Sequence, residues 1–351
     1  MSIIFAILLF SFLIFIHEFG HFMAAKLSGV QVNEFALFMG PAIIKWKRGE
    51  TLYSIRCIPI GGYCTMDGEN EDTDNPRSFQ KATWWKRLII LVAGSFMNFL
   101  TGIVIIAIVL ACVPRYASTQ IEQVETWSCF AQDGTIQQGD IIREVGGKKI
   151  RIYEDFALKI WNLPDGNYDV VVERNGKLEK LKDVRFALTE APNEGGQKRY
   201  GISFSKADTT AQSVASQIFP TAGHYVDQVF VSLGMLFTGK VGVQDLSGPV
   251  GIVDQMNQIA EASADAWYAF LNMLSIGGLL AINLSVMNML PIPALDGGRT
   301  VGLLLTTLAE KVTGRKVSHK IEGYIHGIGM ILLLALMAFI MFKDIFTIFT
   351  R

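Results

Sequence analysis

The chain has 351 residues, of which 50% are hydrophobic and 18% are charged, with a formal net charge of -1. Soluble domains usually carry about 25% charged residues, so the composition argues against an ordinary soluble protein and predicts a membrane protein. The near-zero net charge and the scattered basic residues leave no electrostatic footprint for binding nucleic acid.

Four stretches are apolar over about 20 residues, the length that crosses a hydrocarbon core as a helix. They lie near residues 2–25, 88–112, 270–292 and 325–343. The first lacks the basic start of a signal peptide and is predicted to be a retained helix. Basic residues concentrate in the loops after the first and third spans, so both loops are predicted to be cytoplasmic and the long segment between the second and third spans extracytoplasmic.

A small β-sheet at the membrane surface is predicted between the first two spans. Short apolar runs at 32–38, 42–47 and 52–58 have the composition of strands, and glycine- and proline-containing turns separate them. The acidic run at 67–74 that follows is predicted to be a solvated loop.

After the second span the pattern changes to that of a compact α+β domain at about 115–205. Residues 136–150 alternate around glycine turns as in strands, and residues 155–163 have a helical pattern. A strand at 168–173 leads into a predicted hairpin turn at Asn175-Gly176. Apolar residues then recur at helical spacing over Ala211–Phe237, which predicts an amphipathic helix at the membrane interface.

The four cysteines predict neither a structural zinc site nor a dense disulfide framework, because none of them has C-x-x-C spacing. Free thiols are the simple interpretation. A disulfide between Cys112 and Cys129 is the alternative if both face an oxidising compartment.

The first span carries the chemistry in its sequence HEFGH, residues 17–21. On a helix, His17 and His21 project from one face and can share one metal ion. Zinc accepts imidazole nitrogen, and Glu18 beside the first ligand is placed to take a proton from a water on the metal. The alternative is that these are packed polar residues, but ionisable groups inside a span are costly and need a compensating function.

A catalytic zinc usually has three protein ligands, so a third is expected elsewhere. The candidate is Asp296, at the end of NMLPIPALDGG, residues 288–298. Pro291 and Pro293 prevent a regular helix there, and irregular backbone at membrane depth is tolerated where it is buried in protein or lines a wet cavity. The alternative for Asp296 is an ordinary Asp-Gly turn at a helix end.

Three motifs, in this order, resemble the site-2 protease family of intramembrane zinc metalloproteases: HEFGH, a G-x-x-x-N pattern from Gly94 to Asn98, and NMLPIPALDGG. The resemblance covers essentially the whole chain and is closest to the RseP-like branch, the regulators of sigma-factor protease, which the segment 246–251 (LSGPVG) also resembles. A single PDZ domain fits here, whereas the best-known proteobacterial members carry two.

The resemblance implies a fold and a domain organisation. The fold is a multi-span α-helical membrane protein of about four transmembrane helices, with a membrane-associated small β-sheet and an inserted extracytoplasmic PDZ-like α+β domain. The implied domains are the first half of the membrane core (1–113), the PDZ-like domain (114–206), an amphipathic interfacial linker (207–268) and the second half of the core (269–351).

The resemblance also implies the site. His17, His21 and Asp296 would be the ligands of one Zn²⁺, Glu18 the general base, and Asn288, Pro291 and Pro293 substrate-binding residues. Asn98 is either a further substrate-binding residue or an interhelical packing amide. The remaining histidines, His224, His319 and His326, are predicted to have no ligand function.

The implied partners are transmembrane segments of single-span membrane proteins, including anti-sigma factors and remnant signal peptides, within the inner membrane of a bacterium. The PDZ-like domain would bind a substrate C-terminus or exclude bulky ectodomains. Two alternatives from other function classes are a non-catalytic, membrane-anchored PDZ scaffold and a metal-ion transporter that uses the same ligands.

Overall fold

The computed structural model describes residues 2–69, 73–160, 163–192, 198–242, 246, 248–263, 265–314 and 319–350. The helices are α1 (Ser2–Ser28), α2 (Trp84–Cys112), α3 (Cys129–Asp133), α4 (Tyr153–Ile160), α5 (Ala211–Phe237), α6 (Pro249–Ala262), α7 (Ala266–Asn288), α8 (Asp296–Thr313) and α9 (His319–Thr350). The strands are β1 (Val32–Arg48), β2 (Thr51–Met66), β3 (Arg115–Val124), β4 (Ile141–Val145), β5 (Lys148–Lys149), β6 (Gly166–Arg174), β7 (Lys177–Phe186), β8 (Thr189–Glu190), β9 (Lys198–Arg199) and β10 (Ile202–Asp208).

The chain forms two compact units, one of residues 1–105 with 229–351 and the other of residues 106–228. Four helices, α1, α2, α7 and α9, are long and apolar enough to cross a membrane, which agrees with the predicted spans. Their ends differ from the prediction. α7 begins after Asp265, whose side chain accepts the backbone N–H of Tyr268, and it ends at Asn288 because two prolines follow. α9 extends beyond the predicted 325–343 at both ends.

The predicted division of the surface sheet into three short strands is wrong. β1 and β2 are long strands that bend without leaving the sheet. The bends coincide with positive φ angles at Phe38 (71°), Gly40 (83°) and Gly61 (80°). Glycine adopts such angles at little cost. The glycines that predicted strand ends from the sequence therefore allow a continuous strand to bend.

Because the strands bend, a segment of β1 pairs with β2 along both of its edges. Residues 34–37 lie between two partners, 52–55 on one side and 62–65 on the other. Within the described part of the chain no further strand pairs with residues 62–66. This segment therefore presents an open edge.

Close helix contacts organise the first unit around α1. At Gly20 the backbone of α2 comes so near that an added Cβ would lie 2.4 Å from the carbonyl oxygen of Ala93. One apolar cluster joins α1 to α6 and α7, and a second joins α1 to the sheet, α2 and α8. The histidine-bearing helix is consequently held on several sides.

α6 is a helix within the segment 207–268, which was predicted as a linker and also contains the predicted amphipathic α5. Pro249 begins α6, as proline favours a first helical position. The backbone N–H groups of Gly248 and Gly251 donate to Asp344 Oδ2 on α9 at 2.8 and 2.9 Å. A buried carboxylate therefore caps α6 and is itself satisfied by the helix N-terminus. Of the LSGPVG segment, Ser247 lies outside the described residues.

The second unit contains a sheet in the order β10-β3-β4-β6-β7, with β5 paired to β4. The predicted hairpin is present: β6 and β7 pair around Asn175 and Gly176, both at positive φ. The helix predicted at 155–163 begins at Tyr153 and ends at Ile160, and residues 161–162 lie outside the description. Fully buried side chains such as Phe130 and Phe186 form the core, each contributing roughly 1.5–3 kcal/mol. All four cysteines are free thiols, so Cys112 and Cys129 are not joined.

Glu50, in the turn between β1 and β2, anchors the sheet. Its Oε1 accepts hydrogen bonds from Arg77 at 2.7 Å and Lys26 at 2.8 Å. Arg77 first, and then Lys26, lower the pKa of Glu50 from its usual 4.5 to about 2.

We expect the free energy of unfolding to depend on pH through Glu50. A carboxylate whose pKa is lowered by folding stabilises the protein fully above its unfolded pKa, and this contribution is lost as pH falls towards the folded pKa. Glu50→Gln should therefore lower the melting temperature at neutral pH, and the difference from wild type should shrink as pH falls from about 5 towards 3. A difference that stays constant over this range, measured by thermal unfolding in detergent, would contradict the assignment.

Candidate metal centre

Two helices bring the three sequence-predicted ligands together. His17 and His21 lie one turn apart on α1, with their Nε2 atoms 3.1 Å from each other. Asp296 is the first residue of α8, and its Oδ2 lies 3.0 Å from His17 Nε2 and 3.2 Å from His21 Nε2. In the described part of the chain this is the one group of three or more such side chains close enough to hold a metal ion.

The orientation of His21 is fixed by a hydrogen bond from its far side. His21 Nδ1 lies 2.7 Å from the carbonyl oxygen of Ile90 on α2, to which it donates. Because Nδ1 carries the proton, Nε2 of the neutral ring has a lone pair, and that atom faces Asp296. A second hydrogen bond of this kind is the usual way in which proteins orient a metal-binding histidine.

Gly94 on α2 makes room for both imidazole rings. A Cβ at this position would lie 2.4 Å from His21 Nε2 and 2.8 Å from His17 Cε1. The glycine of the G-x-x-x-N pattern is therefore needed for space, since any side chain would enter the position of the rings.

The segment before Asp296 folds tightly over the start of α8. A Cβ on Gly297 would lie 2.3 Å from the carbonyl oxygens of both Met289 and Leu290, and one on Gly298 would lie 2.3 Å from that of Ile292. Side chains cannot fit at either position. The two glycines thus let the irregular segment 289–295 turn back against the helix that carries Asp296.

The three side chains fit a zinc ion. Ligand atoms at about 2.0–2.2 Å from a tetrahedral ion are separated by roughly 3.4 Å, close to the 3.0–3.2 Å found between these atoms. Asp296 Oδ2 is also buried and accepts no hydrogen bond within the described residues. A buried acceptor without a donor is costly, and a cation at this point would compensate it.

These ligands and Glu18 line one cavity of about 670 Å³, a volume typical of ligand sites. The backbone of β2 passes close to Glu18, because a Cβ on Gly62 would lie 3.8 Å from Glu18 Cγ. The edge segment of β2 contributes to the wall. Other wall residues used below are Tyr63, Cys64, Met66, Glu69, Arg299 and His326.

The other predicted site residues are not on the wall of this cavity. Asn288 ends α7, and Pro291 and Pro293 lie in the segment that follows it. Asn98 is 1% exposed within α2, one turn after Gly94. Whether these four residues contact substrate remains a prediction.

His326 and the pair Glu69–Arg299 belong to the cavity but were not predicted from sequence. Glu69 follows β2, and its carboxylate contacts the guanidinium of Arg299 on α8. His326 was assigned no function, although a histidine within an apolar span is itself a signal, because ionisable groups there are costly. Nothing in the local sequence indicates the Glu69–Arg299 pair, since its members are far apart along the chain.

We expect Gly94→Ala to weaken zinc binding by about 10- to 100-fold, the usual cost of disturbing groups that position ligands. Chelator competition on the purified protein measures this. Gly234→Ala is the control, because a Cβ there meets nothing within 4 Å. Equal zinc affinity in both variants would show that the rings do not need the space at Gly94.

Comparison with known proteins identifies the family of the chain. Residues 5–336 match peptidase family M50. A protein of Clostridium perfringens named as a zinc metalloprotease is 35% identical over 348 residues, 98% of each chain, and one of Clostridium acetobutylicum is 34% identical over 349 residues, covering 98% of this chain and 97% of the relative. The regulator of sigma-W protease RasP of Bacillus subtilis is 26% identical over 434 aligned residues, 99% of each chain. With four apolar helices and bacterial relatives of this kind, the chain is an inner-membrane zinc metalloprotease of peptidase family M50, the site-2 protease family.

Proposed function

We propose that this protease cleaves transmembrane segments of single-span membrane proteins, with anti-sigma-factor-like proteins or remnant signal peptides as substrates. His17, His21 and Asp296 hold the zinc, and Glu18 is the general base. The observation that carries the proposal is the convergence of the three ligand atoms in one cavity with Glu18. A relative named as a regulator of sigma-W protease supports a substrate in a sigma-factor pathway.

The residues divide the chemistry between them. Zinc, when bound, supplies a Lewis acid that polarises the scissile carbonyl and makes a water molecule more acidic. Glu18 takes the proton of the attacking water and returns it to the leaving amine. His21 keeps its metal-binding nitrogen unprotonated through the hydrogen bond of its other nitrogen to Ile90.

The substrate enters as an added strand at the edge of the surface sheet. A peptide bond within a transmembrane helix must be unwound before it can be hydrolysed, and an open sheet edge holds an extended peptide through its backbone. Within the described structure no strand pairs with the outer side of residues 62–66, where the backbone N–H of Met66 donates to Glu69 Oε2 at 3.4 Å. Tyr63, Cys64 and Met66 of this edge also line the cavity that contains Glu18.

The substrate strand is also held on the side away from the β2 edge. The residues that hold it there are Asn288, Pro291 and Pro293, at the end of α7 and in the irregular segment that leads to Asp296. Asn98 is better suited to helix packing. Its side chain is buried in α2 and is not on the cavity wall, which supports the interhelical alternative at this position.

The domain at 114–206 is a PDZ-like extracytoplasmic module that either receives a substrate C-terminus or excludes bulky ectodomains. Its antiparallel sheet and its buried core support an independently folded module. The loops at 45–87 and 311–320 are cytoplasmic because of their positive charge, although residues 70–72 and 315–318 lie outside the described structure.

The two alternative functions are less well supported. A non-catalytic scaffold gives no reason for a glutamate beside three clustered ligand atoms. A metal-ion transporter needs a polar path through several spans, and the residues described here contain a single metal-type cluster.

We expect Glu18→Gln to keep about one zinc per chain and to lower kcat by about 100- to 10,000-fold, the usual contribution of a general base. Asp296→Ala should instead lose zinc. The measurement is cleavage of a model single-span substrate by the purified protein in detergent, with zinc quantified in the same samples. An active Glu18→Gln variant would remove Glu18 from the mechanism, and unchanged zinc in Asp296→Ala would remove the third ligand.

If the substrate binds as an added strand, only every second backbone amide on one side of the cleavage site should donate a hydrogen bond to the sheet edge. Successive residues of a strand point their N–H groups in opposite directions, so N-methylation of every second amide on one side of the cleavage site should lower kcat/KM. Methylation of the amides between them should have a smaller effect. Peptides methylated at single positions measure this, and equal losses at neighbouring positions would exclude pairing at the sheet edge.

A further inference from the structure

His326 on α9 joins the last helix to the segment that carries the third ligand. Its Nδ1 accepts a hydrogen bond from the backbone N–H of Ala294 at 2.9 Å. Ala294 lies two residues before Asp296, and both of these residues line the cavity together with His326. The contact therefore acts on the backbone next to a proposed ligand.

The backbone at Ala294 needs such support. Its φ is 78°, a left-handed conformation that is unfavourable for an L-residue with a side chain. The neighbouring Pro293 has no N–H to donate. A residue in this conformation persists when its surroundings fix it, and the hydrogen bond to His326 is one such constraint.

A second contact from the same face of α9 acts on the same segment. Gly329 lies three residues after His326, so the two positions are neighbours on the helix surface. A Cβ on Gly329 would lie 2.5 Å from Pro293 Cβ and 2.9 Å from the carbonyl oxygen of Pro293. α9 thus contacts Pro293 through a glycine and Ala294 through a histidine.

We propose that His326 is a positioning residue that holds the backbone before Asp296, and through it the carboxylate, in place for zinc. The proposal rests on Asp296 being a ligand, as proposed above. His326 acts as a hydrogen-bond acceptor. Its Nδ1 must therefore be unprotonated, and a neutral ring then carries its proton on Nε2.

Two substitutions of similar polarity test the position of the acceptor atom. In His326→Asn, Oδ1 occupies about the place of Nδ1 and can accept the Ala294 N–H. In His326→Gln the amide lies one bond further out, near the place of Nε2. His326→Leu removes the acceptor and leaves the half-buried N–H of Ala294 without this partner, which is unfavourable.

We expect the zinc dissociation constant, measured by chelator competition on the full-length protein in detergent, to stay within about threefold of wild type in His326→Asn. It should rise by about 10- to 100-fold in His326→Gln and His326→Leu, the usual effect of removing a group that orients a ligand. Gly329→Ala should weaken zinc binding similarly, because it displaces Pro293 from the same helix.

Equal zinc affinity in His326→Asn and His326→Gln would overturn the proposal. So would a loss of thermal stability in the zinc-free protein that matches the loss of zinc affinity, since this would indicate a general packing defect. Asp296→Asn is measured in parallel. If Asp296→Asn binds zinc with the affinity of wild type, the proposed site is wrong. If Asp296→Asn loses zinc affinity while His326→Leu keeps it, only the positioning function of His326 is wrong.

Discussion

The organisation of the membrane core depends on satisfying ionisable side chains inside an apolar helix bundle. Such groups are costly away from water and must find partners within the protein. Here the Nε2 atoms of His17 and His21 and the Oδ2 atom of Asp296 converge on one point, where a bound cation would compensate them. The close contact of α1 with α2, made possible by Gly20 and Gly94, keeps the two histidines at that point.

The centre combines a regular element with an irregular one. α1 supplies two of the three proposed ligands at a fixed helical spacing, so their relative positions follow from the helix itself. Asp296 comes from the end of a segment interrupted by Pro291 and Pro293, and its position depends on what packs around that segment. The end of this segment borders the cavity, because Ala294 and Asp296 line the same space of about 670 Å³ as Glu18.

α9 supports the core through a few polar or small residues. Most of its apolar side chains are exposed, as expected of a helix that faces lipid. Asp344 caps α6, whereas His326 and Gly329 contact the segment before Asp296. The last helix therefore meets the rest of the unit mainly where its sequence departs from a continuous apolar run.

The sequence by itself determined the four spans, the pair of histidines with Glu18, and Asp296 as the third candidate ligand. These follow from local rules: apolar length, helical spacing, and the cost of an ionisable residue in a span. It did not determine the bent sheet, because Gly40 and Gly61 suggest breaks equally well. Only the tertiary structure decided that the edge of β2 lies beside Glu18, that Gly94 makes space for two imidazoles, and that His326 contacts Ala294. These contacts join residues distant in the chain, and no local pattern specifies which distant backbone will approach a given side chain.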